Sequence, residues 1–258
     1  MLAVLSWVIG KAVGRRFIRF QSQIRSDFNE LEKTKNQLQY LALHDDLTDL
    51  PNRLFLIDFI EQKIKQSLLT DTSLAIMFVD IDDFKKVNDA FGHSTGDELL
   101  KVVAKRFESL LDQNSIVARF GGDEFVFCFS GLASAIEAEH KGMAVYDAFH
   151  DTFAIKGKSI ASSCSVGVAL FPQDAKHAED LISKADTALY TSKARQKGGV
   201  LFYDESINQQ VQYELTLEEE LRGAMERDEL YMLYQPQIHL ETGKLVSVEA
   251  LIRWNNAT

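Results

Sequence analysis

Apolar residues along the 258-residue chain follow two periodicities, one typical of strands and one typical of helices. The run Ser73–Ile81 is apolar until Asp80, which predicts a strand buried on both faces with an acid at its end. The other strand patterns are SIVARF, EFVFCFS, 160–171 and 200–203, and the helical patterns are 54–69, 84–91, 95–111, 133–149 and 179–194. Helices and mostly antiparallel strands interleaved over roughly 160 residues predict one two-layer α+β domain.

The strand patterns SIVARF and EFVFCFS flank Gly121 and Gly122, which predicts a hairpin because both glycines accept positive φ. Asp123 and Glu124 follow the glycines directly, and Asp80 can reach the same place if the two strands are neighbours. Clustered carboxylates repel each other unless a cation neutralises them, and hard oxygen ligands of this type suit magnesium. A magnesium-bound triphosphate is therefore the simplest substrate that this pattern predicts.

The beginning of the chain predicts a membrane-proximal segment at 1–14 and a signalling helix at 15–43. Residues 2–13 are apolar and are followed by basic residues, which fits either the inner end of a truncated membrane helix, the favoured reading, or a membrane-surface anchor. The helix carries a heptad-like row, which predicts either a parallel dimer stalk or one amphipathic helix packed on its own domain. The row consists of Phe17, Gln21, Ile24, Phe28, Leu31, Lys35 and Leu38.

After Asp204 the pattern starts again, with a predicted helix at 216–230 and predicted strands at 231–240 and 245–254. Too little sequence follows these elements to close a second core, so residues 206–258 are expected to be the front edge of a further domain.

Net charge excludes one class of function. The chain has 38 Asp and Glu residues against 28 Lys and Arg residues, which argues against nucleic acid as a partner. Cys128 and Cys164 lie in apolar runs without metal-ligand spacing, so both are expected to be core residues of a cytosolic catalytic portion.

Five motifs carry a family resemblance: HDDLTDLPNR, FVDIDDFKKVND, FGHSTGDELL, RFGGDEF and ADTALYTSK, in this order. With these motifs, residues 44–205 resemble a GGDEF domain of the diguanylate cyclase family. The resemblance implies a palm-like α+β fold with a mostly antiparallel five-stranded sheet flanked by helices. It also implies that two GTP molecules, one on each protomer of a homodimer, are condensed into cyclic di-GMP with release of pyrophosphate.

The resemblance assigns roles residue by residue. It implies that Asp80, Asp123 and the backbone carbonyl of Ile81 bind Mg²⁺ or Mn²⁺. Glu124 would support the metal or deprotonate the attacking hydroxyl, and Lys85 would steady charge in the transition state. Such roles suit phosphoryl-type transfer, which depends on positioning and charge neutralisation.

The resemblance also implies a set of nucleotide contacts. Asn88 and Asp97 would read the guanine edge, with His93 beside the nucleotide, and the donor and acceptor groups of the first two match guanine. The phosphates would contact Lys193 and Lys197. Gly121 and Gly122 would let the nucleotide approach the backbone closely.

Simpler readings exist for several of these residues. Asn88 and Asp97 could be helix caps, and the three lysines could be surface charges. Phe84 and Phe91 are expected in the core. Asp45, Asp46 and Arg53 are expected to hold the first loop by hydrogen bonds and a salt bridge.

Three departures from the family pattern stand out. Asp49 occupies a common glycine position, and Gln196-Lys197 replaces a Gly-Arg pair, so the phosphate contact loses a bidentate fork. Positions 112–115 lack the Arg-x-x-Asp motif of product inhibition, which predicts that feedback through that site is absent.

The segment LYQPQIHLETGKLVSVEALIRW is similar to the opening of an EAL domain, the cyclic di-GMP phosphodiesterase family. That resemblance implies a metal ligand at Glu249, with Gln235 and Arg253 near substrate phosphates. Two functions stay open. The leading one is a dimeric diguanylate cyclase from a GGDEF–EAL hybrid attached to the inner membrane. The alternative is a catalytically silent GTP-binding module that regulates a following phosphodiesterase.

Overall fold

A computed structural model describes residues 25, 27–35, 37–195 and 197–256. The chain divides into two compact units, with the division between Tyr203 and Asp204. Within the described residues, no helix combines the length and the apolar character needed to cross a bilayer. The membrane-proximal segment expected at 1–14 and the first part of the heptad row lie outside the described residues.

Strands of the first unit form one five-stranded sheet and one small hairpin. The sheet has the order β2-β3-β1-β6-β7, in which only β6 and β7 are parallel, so the mostly antiparallel sheet is confirmed. The strands are β1 (Ser73–Ile81), β2 (Ser115–Gly121), β3 (Glu124–Leu132), β4 (Phe153–Ile155), β5 (Lys158–Ile160), β6 (Cys164–Phe171) and β7 (Gly199–Phe202).

The hairpin of β4 and β5 corrects one prediction. The expected strand at 160–171 begins only at Cys164, because Ile160 pairs with Phe153 in the separate hairpin. Each hairpin strand has three residues, and its turn places Lys156 and Gly157 at positive φ.

Helices of the first unit lie close to their predicted positions. Local caps explain two of the starts: the Asn52 side chain accepts hydrogen bonds from the first turn of one helix, and Ser134 does the same for another. The helices are α1 (described at 25, 27–35 and 37–43), α2 (Arg53–Thr70), α3 (Phe84–Phe91), α4 (His93–Glu108), α5 (Ala135–Asp147) and α6 (Ala178–Arg195).

The strand β1 contributes to two hydrophobic cores, one on each face of the sheet. Alternate residues such as Met77 and Val79 pack with α4 and α5, whereas Ile76 and Phe78 pack with α2 and α6. The prediction of two layers is therefore wrong, since helices cover both faces of the sheet. This double burial explains why β1 is apolar throughout rather than alternating. Both cysteines are buried, as expected.

The described residues of the second unit form one helix and one hairpin. Helix α7 (Glu205–Arg222) begins and ends earlier than the predicted helix at 216–230. The Asp204 side chain caps its first turn, and Gly223 follows its last residue. The strands β8 (Leu230–Ile238) and β9 (Leu245–Trp254) pair antiparallel, close to the predicted ranges.

Phe107 offers a test of the core that supports the sheet. Its ring is fully buried and meets Phe125 and Phe127 edge-on, with centroids 5.3 and 5.0 Å away. We expect Phe107→Ala to lower the free energy of unfolding by about 3–5 kcal/mol in urea denaturation, because the cavity removes these contacts. Leu69 is 88% exposed and serves as the control. Equal effects of Phe107→Ala and Leu69→Ala would contradict the described packing.

Candidate active site at the end of the central strands

Three acids meet where β1 and β3 come together. The antiparallel register places Asp80 directly opposite Glu124, and Asp123 lies in the turn immediately before β3. The charges of Asp123 and Glu124 both interact with that of Asp80. The structure therefore brings together the three carboxylates that the sequence singled out.

Burial and mutual repulsion make this edge of the sheet unfavourable for negative charge. Burial is the main cause that raises the pKa of Asp80, and the charges of Asp123 and Asp82 add to it. Burial also raises the pKa of Glu124, followed by the charges of Asp80, Asp186 and Asp123. A cation near these groups is thus electrostatically favoured.

Lys193 is the cation in contact with this group. Its Nζ lies 2.6 Å from Oδ1 of Asp80, and its charge lowers the pKa values of Asp80, Glu124 and Asp186 against the effect of burial. Asp186 was missed in the sequence. It lies two turns before Lys193 on α6, on the same helix face, and that spacing within ADTALYTSK was the available signal.

The turn between β2 and β3 depends on one glycine rather than two. Gly122 has φ +52°, whereas Gly121 ends β2 without positive φ, so the expectation was half right. Neither position has an atom within 4 Å of an added Cβ, which leaves open space beside the turn. The backbone here is accessible to a ligand.

Arg119 fastens this turn to the loop before α2. Its Nε and Nη2 donate to the Gly122 carbonyl at 3.0 and 2.7 Å, and its Nη1 donates to both carboxylate oxygens of Asp45 at 2.9 and 3.0 Å. Although burial acts to raise it, hydrogen bonds from Thr48 and Arg119 hold the pKa of Asp45 below its usual value. The expected salt bridge thus exists, but its cation is Arg119. Arg53 instead lies over the Phe120 ring at 4.7 Å.

Asn88 and Asp97 lie inside helices, not at their ends. Asn88 belongs to α3 and Asp97 to α4, so the alternative that they are N-caps is wrong. A Cβ at Gly96 would lie 2.0 Å from Oδ1 of Asn88, so a larger residue there would displace the Asn88 side chain from this position. Asp97 and His93 are exposed on the first turns of α4. The helix pair therefore presents an amide, a carboxylate and an imidazole.

The other two lysines have different surroundings. Lys85 is exposed on α3. Lys197 pairs with Asp83, with Nζ 2.7 Å from Oδ1, and its charge also interacts with those of Asp82 and Asp80. Phe84 packs against the core, whereas Phe91 is 42% exposed, so the expectation that Phe91 belongs to the core is wrong.

The oxygen donors at this edge fit a hard divalent cation. Asp80 and Asp123 supply carboxylates, and the Ile81 carbonyl is next to Asp80 in the chain. Within the described ranges, no three side chains of His, Cys, Asp or Glu are grouped as a metal site.

Residues of the second unit share one face of their hairpin. Gln235 lies directly opposite Glu249, and Arg253 follows Glu249 by four positions, so the three side chains lie on the same side. All three are exposed, and the Arg253 guanidinium donates to the Ile252 carbonyl at 2.9 Å.

Comparison with protein families identifies this arrangement. The family model "Diguanylate cyclase, GGDEF domain" matches residues 42–199, and the "EAL domain" model matches residues 218–258. The chain belongs to the GGDEF diguanylate cyclase family, and its GGDEF region is followed by a short EAL match.

Two curated relatives match most of this chain. MucR of Pseudomonas aeruginosa, a bifunctional diguanylate cyclase/cyclic di-GMP phosphodiesterase, is 38% identical over 226 residues, which cover 88% of this chain and 33% of MucR. The cyclic di-GMP phosphodiesterase PdeR of Escherichia coli is 37% identical over 232 residues, which cover 90% of this chain and 34% of PdeR. The chain thus spans about a third of the length of these curated relatives.

A solved structure supports the fold. The GGDEF domain of the protein called TpbB or YfiN from Pseudomonas aeruginosa aligns with a TM-score of 0.64 and 31% identity, covering 66% of this chain and 99% of that domain. Together, the family match and the relatives place this chain in cyclic di-GMP signalling.

Repulsion among the acids leads to a stability prediction for Glu124→Gln. The pKa of Glu124 is higher in the folded state than in the unfolded state. The folded state therefore becomes less stable as the pH rises from the unfolded-state pKa through the folded-state pKa, where the carboxyl loses its proton. We therefore expect Glu124→Gln to raise Tm by about 1–3 °C at pH 7 in EDTA, and to lose this gain below about pH 4.

Glu139→Gln is the matched control, because Glu139 is exposed and lies on α5, which contributes none of the acids of the site. It removes the same formal charge from the chain. An equal rise in Tm for both variants in thermal unfolding would show that net charge, and not local repulsion, is responsible.

Proposed function

We propose that this chain is a diguanylate cyclase that condenses two GTP molecules into cyclic di-GMP and releases pyrophosphate. The observation that carries the proposal is the pairing of Asp80 with Glu124 across β1 and β3, with Asp123 in the adjoining turn. A chain that only packed this sheet would gain nothing from mutually repelling, partly buried carboxylates at its edge.

In this proposal, Asp80, Asp123 and the Ile81 carbonyl hold a divalent cation, Mg²⁺ or Mn²⁺. When bound, the cation neutralises charge on the triphosphate. Glu124 accepts the proton of the attacking 3′-hydroxyl or supports the cation. Burial and neighbouring charges raise the pKa of Glu124, which makes its carboxylate a stronger base than an exposed one.

The nucleotide lies between the β2–β3 turn and the pair of helices α3 and α4. Asn88 and Asp97 bind the guanine edge, with His93 beside it, because an amide and a carboxylate match its donors and acceptor. The open space at Gly121 and Gly122 admits the phosphates next to the backbone.

Three lysines serve the phosphates in this proposal. Lys193 is already at the acids, and it would be able to contact a phosphate oxygen if a metal ion were held by the carboxylates. Lys85 is exposed on α3 and steadies charge in the transition state. Lys197 already pairs with Asp83, so the structure supports a phosphate contact less well for Lys197 than for the other two lysines.

Condensation of two GTP molecules requires a second copy of the chain. The described part of the heptad row supports pairing through α1, because Phe28, Leu31 and Leu38 are 63, 67 and 62% exposed. Attachment to the inner membrane through residues 1–14 is proposed from the apolar and basic pattern of the sequence alone.

A silent regulatory module is the second candidate function. PdeR is named as a phosphodiesterase although its matched region includes the GGDEF portion, and the short EAL match here suggests a similar arrangement. In this case the acids would bind GTP and metal without turnover. Gln235, Glu249 and Arg253 would then belong to the phosphodiesterase that the module regulates.

Incubation of the purified chain with GTP and Mg²⁺ separates the two candidates. We expect cyclic di-GMP to form, and Asp123→Asn to lower its rate by about 100-fold or more because one metal ligand loses its charge. Asp71→Asn is the control, since Asp71 is exposed after α2. Tight GTP binding without pyrophosphate release by the unaltered chain would contradict the cyclase and support the regulator.

Feedback by the product is expected to be absent at positions 112–115. The Asp112 carboxylate pairs with Lys141 at 2.8 Å and accepts a hydrogen bond from Ser115, so its charge is already neutralised within the fold. Any inhibition by added cyclic di-GMP should therefore be the same in the unaltered chain and in Asp112→Ala. Product inhibition that disappears in Asp112→Ala or Ser115→Ala would show this expectation to be wrong.

A further inference from the structure

Asp82 is a buried carboxylate in the turn after β1. It is 6% exposed. Oδ1 accepts a hydrogen bond from the Ser165 hydroxyl at 2.7 Å, and Oδ2 accepts one from the Ser163 hydroxyl at 2.6 Å. Its backbone N–H donates to the Ser163 carbonyl at 2.9 Å. These contacts fasten the turn to the start of β6.

The same serines extend the network to the turn between α6 and β7. Oγ of Ser165 accepts a hydrogen bond from the Gly198 N–H at 3.2 Å. Next to Gly198, Lys197 returns to the first turn through its ion pair with Asp83. We call this closed set of contacts the Asp82 ring: Asp82, Asp83, Ser163, Ser165, Lys197 and Gly198.

Stability alone does not explain a carboxylate at this position. A buried carboxylate loses hydration, and two hydroxyl donors offset only part of that cost. The two donors do fix the orientation of the carboxylate, because Ser165 lies on β6 and Ser163 lies next to it. The backbone immediately before Asp82 carries the Ile81 carbonyl and Asp80.

We propose that Asp82 is a positioning residue for the metal and triphosphate half of the site. It fixes the backbone of Ile81 relative to the α6–β7 turn. The proposed metal donors, Asp80 and the Ile81 carbonyl, therefore keep a constant distance from Lys193 near the end of α6. The guanine contacts at Asn88 and Asp97 lie on α3 and α4, outside the Asp82 ring. The inference rests on the proposed function for the location of the nucleotide.

Binding of α,β-methylene GTP, which cannot be cyclised, tests this role in the full chain. Calorimetry is done in EDTA and at increasing Mg²⁺. In Asp82→Ala and Ser165→Ala we expect the Mg²⁺ concentration for half-maximal binding to rise by about 10-fold, the size typical of residues that orient metal ligands. Affinity in EDTA should stay within about 2-fold, and the double variant should resemble Asp82→Ala because both act through one contact.

A second pair of variants keeps the test valid if Asp82→Ala folds poorly. Ser163→Thr retains the hydroxyl at a half-buried position, whereas Ser163→Ala removes it. Only Ser163→Ala should shift the Mg²⁺ dependence, and the binding is compared at a temperature at which both variants are fully folded. An equal loss of affinity with and without Mg²⁺, or no shift in any variant, would overturn the proposal.

Failure of the two proposals can be told apart. An unaltered chain that binds the analogue with Mg²⁺ but forms no cyclic di-GMP from GTP contradicts the cyclase, and the shift in Mg²⁺ dependence still decides the role of Asp82. An unaltered chain without any Mg²⁺-dependent binding overturns both.

Discussion

The pairing of Asp80 with Glu124 across two antiparallel strands is the contact on which the candidate site depends. A slip of one residue between β1 and β3 would reverse the faces of every side chain in the shifted strand. Asp80 would then leave the face on which it meets Glu124 and Lys193. The register of β1 against β3 therefore determines whether the acids come together.

Grouping the acids has a cost that the rest of the fold must offset. Burial raises the pKa values of Asp80, Glu124 and Asp186, and repulsion from neighbouring carboxylates raises those of Asp80 and Glu124 further. Lys193 relieves only part of this effect. The surrounding backbone is held at several points, including Arg119 at the β2–β3 turn. A rigid frame around an unfavourable cluster is expected of a site that binds a cation and an anionic ligand.

Elements with a strong local signal could be predicted from the sequence. The bounds of β1 agree with the apolar run 73–81, since turn residues limit the run on both sides. The hairpin of β4 and β5 could not be predicted, because three-residue strands carry too little periodicity. The start of helix α7 was predicted too late, because its first turns lack a clear apolar stripe. The cap that Asp204 supplies was the local signal for the earlier start.

Some residues of the candidate site could likewise be predicted from the sequence, and others could not. Asp80, Asp123 and Glu124 could be found because they interrupt or end apolar runs at a predicted turn. Asp186 had a weaker signal, its spacing from Lys193, because its approach to the acids depends on how α6 packs beside β1. The pairing of Lys197 with Asp83 joins residues far apart in the chain, so no local pattern indicated it.

A crystal structure of the chain with Mg²⁺ and α,β-methylene GTP tests the central claim most directly. The account predicts an ion in contact with the carboxylates of Asp80 and Asp123, with the triphosphate beside the β2–β3 turn. A nucleotide bound elsewhere, with neither carboxylate in contact with the ion, would contradict it.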